Sequence, residues 1–161
     1  MGCCSNSSGV GVMGCIRRLL NYIVPKQLVS YGNIVDYLYR YFVEGINDPR
    51  KYGLTPKQGR SYAHRLREIC FADRRVRAIL RYVYKYIKEL EPVIIVYDNY
   101  AYCRLCGREF RFLDRNLKYL MIMFTDHLRH NHREFLERVI DDIIDSVRNE
   151  INGEDDDGGG S

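Results

Sequence analysis

The chain has 161 residues, 46% of them hydrophobic and 29% charged, with a formal net charge of +4. These proportions belong to a folded, water-soluble protein of one ordinary domain or two very small ones. They exclude a membrane-spanning chain: no apolar run approaches the roughly 20 residues of a membrane helix, and the N-terminus lacks the apolar stretch of a signal peptide, so a cytoplasmic location and no membrane partner are expected.

The first 14 residues, "MGCCSNSSGVGVMG", are small and rich in Gly and Ser, and are expected to be disordered. "CIRRLLNYIVPKQ" predicts a short amphipathic helix that stops before Pro25. In "SYGNIVDYLYRYFVEG" the residues Ile34, Val35, Leu38 and Phe42 recur at helical spacing, with Ser30 or Asn33 placed to cap and Gly45 to end the helix. "LTPKQGRSYAHRLREIC" offers Thr55 as N-cap, Pro56 at the first helical position, and Tyr62, Leu66, Ile69 and Cys70 along one face. "DRRVRAILRYVYKYIKEL" carries an apolar stripe of Val76, Ile79, Leu80, Val83, Ile87 and Leu90 that Pro92 brings to an end. At "PVIIVYDNYAYC" the period shortens to that of a β-hairpin, 93–97 pairing with 100–102 across an Asp98-Asn99 turn. From about residue 114 to 149 the pattern is helical again, and the acidic residues 151–161 read as a disordered tail. The fold expected is mainly α with a short β-hairpin, divided into a basic helical domain over 15–91 and a hairpin with a long C-terminal helix over 92–150.

Charge divides along the same line. Residues 1–132 hold 22 Lys/Arg against 11 Asp/Glu, and residues 133–161 hold 3 against 10. Nineteen of the 25 cations are Arg, whose planar fork matches phosphate and guanine edges. Arg74, Arg77, Arg81, Lys85 and Lys88 form a cationic stripe on one helix face, where like charges repel unless an anion neutralises them. Double-stranded DNA is the partner this predicts, with RNA as a variant, since Arg and aromatic residues serve single strands too.

Six cysteines fall at spacings that form no disulfide framework, which points to a reducing compartment. Only Cys103 and Cys106 have the separation of metal ligands, and His127 and His132 follow at a suitable distance from each other. On a regular helix His127 and His130 share a face, whereas the five-residue step to His132 needs a distortion; finger spacing favours His132 and leaves His130 as the competing ligand. Phe110, four residues after the second cysteine, Phe124, three before His127, and Gly107 complete the pattern. In these residues the segment 100–132 resembles the CCHH zinc-finger family, although 20 residues separate Cys106 from His127 where about 12 are usual. The resemblance implies one structural Zn2+ on Cys103, Cys106, His127 and His132, in a ββα unit whose helix runs past the metal.

Three helices followed by a hairpin also resemble, more distantly, the winged helix-turn-helix proteins of archaea and their viruses and plasmids, with 93–102 as the wing. The pattern leaves open which helix would enter the groove; the start of the 55–70 helix has the look of a DNA-reading one, and Lys57, Gln58, Arg60 and Ser61 are its candidate contacts. A viral protein would act in the host-cell cytoplasm. No nucleophile elbow, phosphate loop or catalytic carboxylate pair is present, so no enzyme is expected. The function predicted is that of a DNA-binding transcriptional regulator. The alternative is an interaction adaptor or host-factor inhibitor that dimerises or docks a protein through Val139, Ile140, Ile143, Ile144 and Val147 of the last helix.

Overall fold

Helix α1 (Gly9–Gln27) lies at the centre of the molecule. Its apolar residues come in pairs one turn apart, Cys15 and Ile16, Leu19 and Leu20, Ile23 and Val24, and all six are buried. That stripe is wide enough to receive five other helices. The helix does not stop before Pro25, as its sequence predicted. The proline removes the N–H that would reach the Asn21 carbonyl, and the Arg129 guanidinium donates to that carbonyl instead, at 3.3 Å. A contact with a residue far along the chain thus repairs a local break.

The computed structural model describes the backbone of residues 9–159 and the side chains of 13–153. Residues 9–14, expected to be disordered, belong to α1, and residues 151–159, expected to form a disordered tail, belong to the last helix. Each extends a helix whose neighbouring turn, at Met13 or Ile151, packs against the core. Residues 1–8 and 160–161 lie outside the described residues.

Helix α2 (Ile34–Tyr39) widens into a π turn (Arg40–Glu44) and stops at Gly45, in the left-handed region at φ 71°. Asn33 stands at its start without a side-chain cap bond. The turn leaves the Phe42 carbonyl without a helical partner, and Arg77 Nε donates to it at 3.0 Å. Helix α3 (Pro56–Cys70) begins as predicted: Thr55 Oγ1 accepts from the Gln58 amide, and Gln58 Oε1 accepts from the Thr55 amide. It ends at Phe71, an exposed non-glycine residue at φ 71°, and α4 (Asp73–Lys88) follows at once. Gly59 of α3 sits against Tyr37, where an added Cβ would come within 2.7 Å of the phenol oxygen and 2.9 Å of the ring. Tyr37 is itself buried and donates to Asn47, so it has nowhere to retreat. Gly59→Ala should therefore destabilise the fold by about 1–3 kcal/mol in a denaturant titration, although alanine is the better helix former; an equal or higher stability would show that this contact yields.

Cys15 and Cys70, expected to be unpaired, are joined as a disulfide between α1 and α3, with their Cα atoms 5.9 Å apart. They are 55 residues apart in sequence, so no spacing rule could pair them. Closing a loop of that length contributes about 4 kcal/mol in the chain-entropy picture.

Past α4, strands β1 (Ile94–Val96), β2 (Tyr100–Cys103) and β3 (Glu109–Arg111) form an antiparallel sheet in the order β1-β2-β3. The hairpin is as predicted, but it is not a free wing. Backbone bonds tie β1 to residues 28–30, and β2 pairs on its other edge with a third strand the sequence did not reveal. The expected helix over 114–149 is two helices, α5 (Leu117–Asn131) and α6 (Arg133–Gly159). Leu136, Ile140, Ile143, Ile144 and Val147 of α6 are buried in one cluster with α1 and α4, so the two expected domains share a core. Among the described residues no helix is long and apolar enough to cross a membrane.

Candidate metal centre

Strand β2 ends in Cys103, and the chain turns back through Cys106 into β3. Gly107 makes that turn possible: at φ 78° it occupies backbone space that a side chain resists, and its N–H donates to the Cys103 carbonyl at 2.8 Å. The Cys103 N–H donates in turn to the Arg108 carbonyl at 2.9 Å, closing the knuckle. Below it lies an aromatic floor. Phe110 meets Phe124 edge to face with centroids 5.6 Å apart, and meets the His127 ring at 4.9 Å. Phe124 and Leu128, both fully buried, anchor this face of α5 in the core.

The eight residues in excess of the usual finger spacing are absorbed by the 112–116 loop and by a longer run of helix before His127. Helix α5 begins at Leu117 rather than near 114, capped by Asn116, whose Oδ1 accepts from the Tyr119 amide at 3.0 Å. His127 is then the eleventh helical residue, about 15 Å along the axis.

The distortion required to bring His132 to the same side is the break between the two helices. His132 adopts φ −131° and ψ 40°, its N–H still reaching Leu128 while its carbonyl accepts from Leu136 in α6. His132 Nε2 lies 3.5 Å from Cys103 Sγ, and His127 Nε2 lies 3.5 Å from Cys106 Sγ. All four ligand atoms fall within 4.8 Å of one another, close enough to hold a metal ion. His130 is not among them; it is exposed, with Nδ1 against the Asp126 carbonyl at 2.8 Å.

Burial pushes the Cys103 thiol up, while the backbone N–H groups of Cys106 and Leu105 point at its sulfur and pull the other way. Burial, then the neighbouring His132 and Arg108, hold His127 below the ordinary histidine value, so its imidazole is neutral at pH 7 and ready to donate a lone pair. A divalent cation set among these groups would displace the thiol protons and accept four donors, two sulfur and two nitrogen.

The predicted nucleic-acid residues are not gathered in one place. On α4, Arg77 is occupied by the Phe42 carbonyl and Lys85 by Glu150 of α6, at 3.2 Å. Arg74, Arg81 and Lys88 are exposed and have no anionic partner among the described residues. The α4 tyrosines serve the fold: Tyr84 stacks on Tyr39 and bonds Asp36, and Tyr86 donates to Glu150. On α3, Arg60 is exposed, while Gln58 is held in the capping box and lines a cleft together with Lys57 and Ser61. Lys26, Lys118 and Arg129 line the same cleft, and sequence reasoning missed them because they come from separate parts of the chain.

No family model, no curated protein and no solved structure matches the chain.

Proposed function

We propose that the protein is a DNA-binding regulator in which a structural zinc ion on Cys103, Cys106, His127 and His132 fixes α5 against β2 and β3, and in which the free cations of α4 meet the phosphate backbone. Zinc is favoured by the donor set, since two thiolates and two imidazoles in tetrahedral reach suit it better than a hard cation. With all four positions filled by side chains, no open position remains for catalysis. The order strand, knuckle, strand, helix is that of the CCHH unit the sequence resembles.

The observation that carries the DNA reading is the contrast among the cations. Acidic neighbours meet Arg17, Arg40, Arg67 and Lys85 among others, whereas Arg74, Arg81 and Lys88 lie along one helix with no acidic partner among the described residues. Of the edge that the adaptor reading would use, Ile140, Ile143, Ile144 and Val147 are buried and Val139 is half-buried, which favours the DNA reading.

The test is binding to random-sequence duplex DNA across a salt series, comparing the wild type with Arg74→Ala/Arg81→Ala, which leaves the Arg77 bond to Phe42 in place. Affinity should fall steeply with salt, and the variant should lower the log–log slope by about 2, close to one for each lost phosphate contact. Failure of the wild type to bind duplex at low salt would sink the reading. Stronger binding to single strands than to duplex would transfer it to RNA or single-stranded DNA.

A further inference from the structure

Between α1, the first turn of α3 and α5, the surface closes into a cleft of about 470 Å3, large enough for a small ligand. At its floor is Lys26, only 8% exposed. Its Nζ lies 3.8 Å from the centroid of the Tyr22 ring and donates one long bond, 3.4 Å, to the Tyr22 carbonyl. No carboxylate pairs with it among the described residues; its contacts there are the Tyr22 carbonyl and the Tyr22 ring, neither of which carries a negative charge. Charges so deeply buried are ordinarily paired. Around the opening stand Lys57, Lys118 and Arg129 against a single carboxylate, Asp126. The first turn of α3, which carries no acidic residue, adds the positive end of a helix dipole. Polar and aromatic groups complete the lining: Ser61, Asn116 and the tilted pair Tyr22 and Tyr62, with centroids 6.5 Å apart.

The geometry points to a binding site for a nucleotide, its phosphate held by Lys26, Lys57 and Arg129 and its base or sugar against Tyr22 and Tyr62. A phosphate supplies the anionic partner that Lys26 lacks and the negative charge that three surrounding cations leave unbalanced. Tyrosine faces accept any base, so the phosphate rather than the base identity sets recognition. Burial, reinforced by Arg129 and Arg65 and opposed by Asp126, lowers the Lys26 ammonium to about 7; an anion beside it would restore its charge. The ligand could reach the cleft as a free nucleotide or as the 5′-phosphorylated end of a strand, and both present the same chemistry. The site makes no use of α4 and stands apart from duplex binding.

The experiment is calorimetric titration of the full chain, in low salt, with adenosine 5′-monophosphate, inorganic phosphate and adenosine. Adenosine 5′-monophosphate should bind, phosphate should bind more weakly, and adenosine should bind least. Lys26→Met, similar in shape and without the charge, should weaken the nucleotide about tenfold or more, and Lys57→Gln, an exposed change that threatens no packing, should weaken it severalfold. Arg74→Ala/Arg81→Ala should bind the nucleotide as the wild type does, which separates this inference from the reading of α4. A trinucleotide with a 5′-phosphate that binds more tightly than adenosine 5′-monophosphate and than its 5′-hydroxyl form would identify the strand end as the ligand; equal or weaker binding would identify the free nucleotide. Absence of binding by both phosphate and nucleotide at millimolar concentration, or affinities unchanged in both lysine variants, would overturn the proposal.

Discussion

Stripping the metal with a chelator, or replacing His127 with alanine, is expected to lower the thermal midpoint by about 10–20 °C, corresponding to a loss of about 5 kcal/mol. In isolated finger peptides the ion contributes more than this and its loss unfolds the peptide. Here Phe110, Phe124 and Leu128 bury apolar surface that remains in place without the ion, so the effect is smaller and concentrated in β2, β3 and the second half of α5. His132→Ala should act like His127→Ala. His130→Ala should stay within about 0.5 kcal/mol of the wild type, because its ring faces solvent and bonds only the Asp126 carbonyl. Melting curves recorded by circular dichroism with and without chelator decide the matter: coincident curves would mean that the four side chains converge without holding an ion.

The stability of the fold should also rise by about 3 kcal/mol between pH 7 and pH 9.5 through Lys26 alone. Its ammonium falls from the ordinary 10.5 to about 7 in the folded protein, first through burial and then through Arg129 and Arg65, with Asp126 opposing. Between those two values the unfolded chain holds a proton that the folded chain does not, so unfolding takes up a proton and stability increases with pH. The contribution is complete above the unfolded value and is lost as pH falls through the folded one. The upper limit of the window stays below 10, because burial raises the Tyr22 phenol, and ionisation of that tyrosine in the unfolded chain would reverse the trend. Cysteine and histidine ligands also titrate here, so the informative quantity is the difference between the wild type and Lys26→Met in denaturant titrations at matched pH. The difference should shrink with rising pH, and the variant should be the more stable protein at pH 7. A constant difference would place the Lys26 charge in contact with water.

Legibility followed the range of the interactions. The Thr55 cap of α3, the apolar stripe of α4 and the Gly45 stop were readable because each is decided within a few residues. So was the tetrad, whose ligand spacing and two framework phenylalanines lie within one short stretch of chain. The choice of His132 over His130 rested on finger spacing against regular-helix geometry, which favours His130; the break in the helix at His132 removes that objection. Long-range repairs were hidden. Nothing near Pro25 announces that Arg129 will supply the missing donor, and nothing near Cys15 points to Cys70. The third strand was missed because β3 is only three residues long, Glu109–Arg111, and its alternation of exposed and buried positions is too brief to stand out. The α6 edge, with its isoleucines, read as a docking surface because a sequence records that a helix face is apolar, not what covers it.

The two cysteine pairs raise a matter of oxidation state. Cys15 and Cys70 are joined and wholly enclosed, whereas Cys103 and Cys106 are free, and Cys106 lies open to solvent. A metal centre requires the second pair as thiolates, while the first pair has already given up its electrons. Disulfide potentials differ from pair to pair, so one redox poise can keep the inner pair joined and the outer pair reduced, and enclosure adds a kinetic barrier: reductants are denied the inner pair, and among the described cysteines Cys106 is the one an oxidant meets first. An ion seated on both outer sulfurs would do more than brace a helix, since it would also prevent that pair from following the inner one into a disulfide.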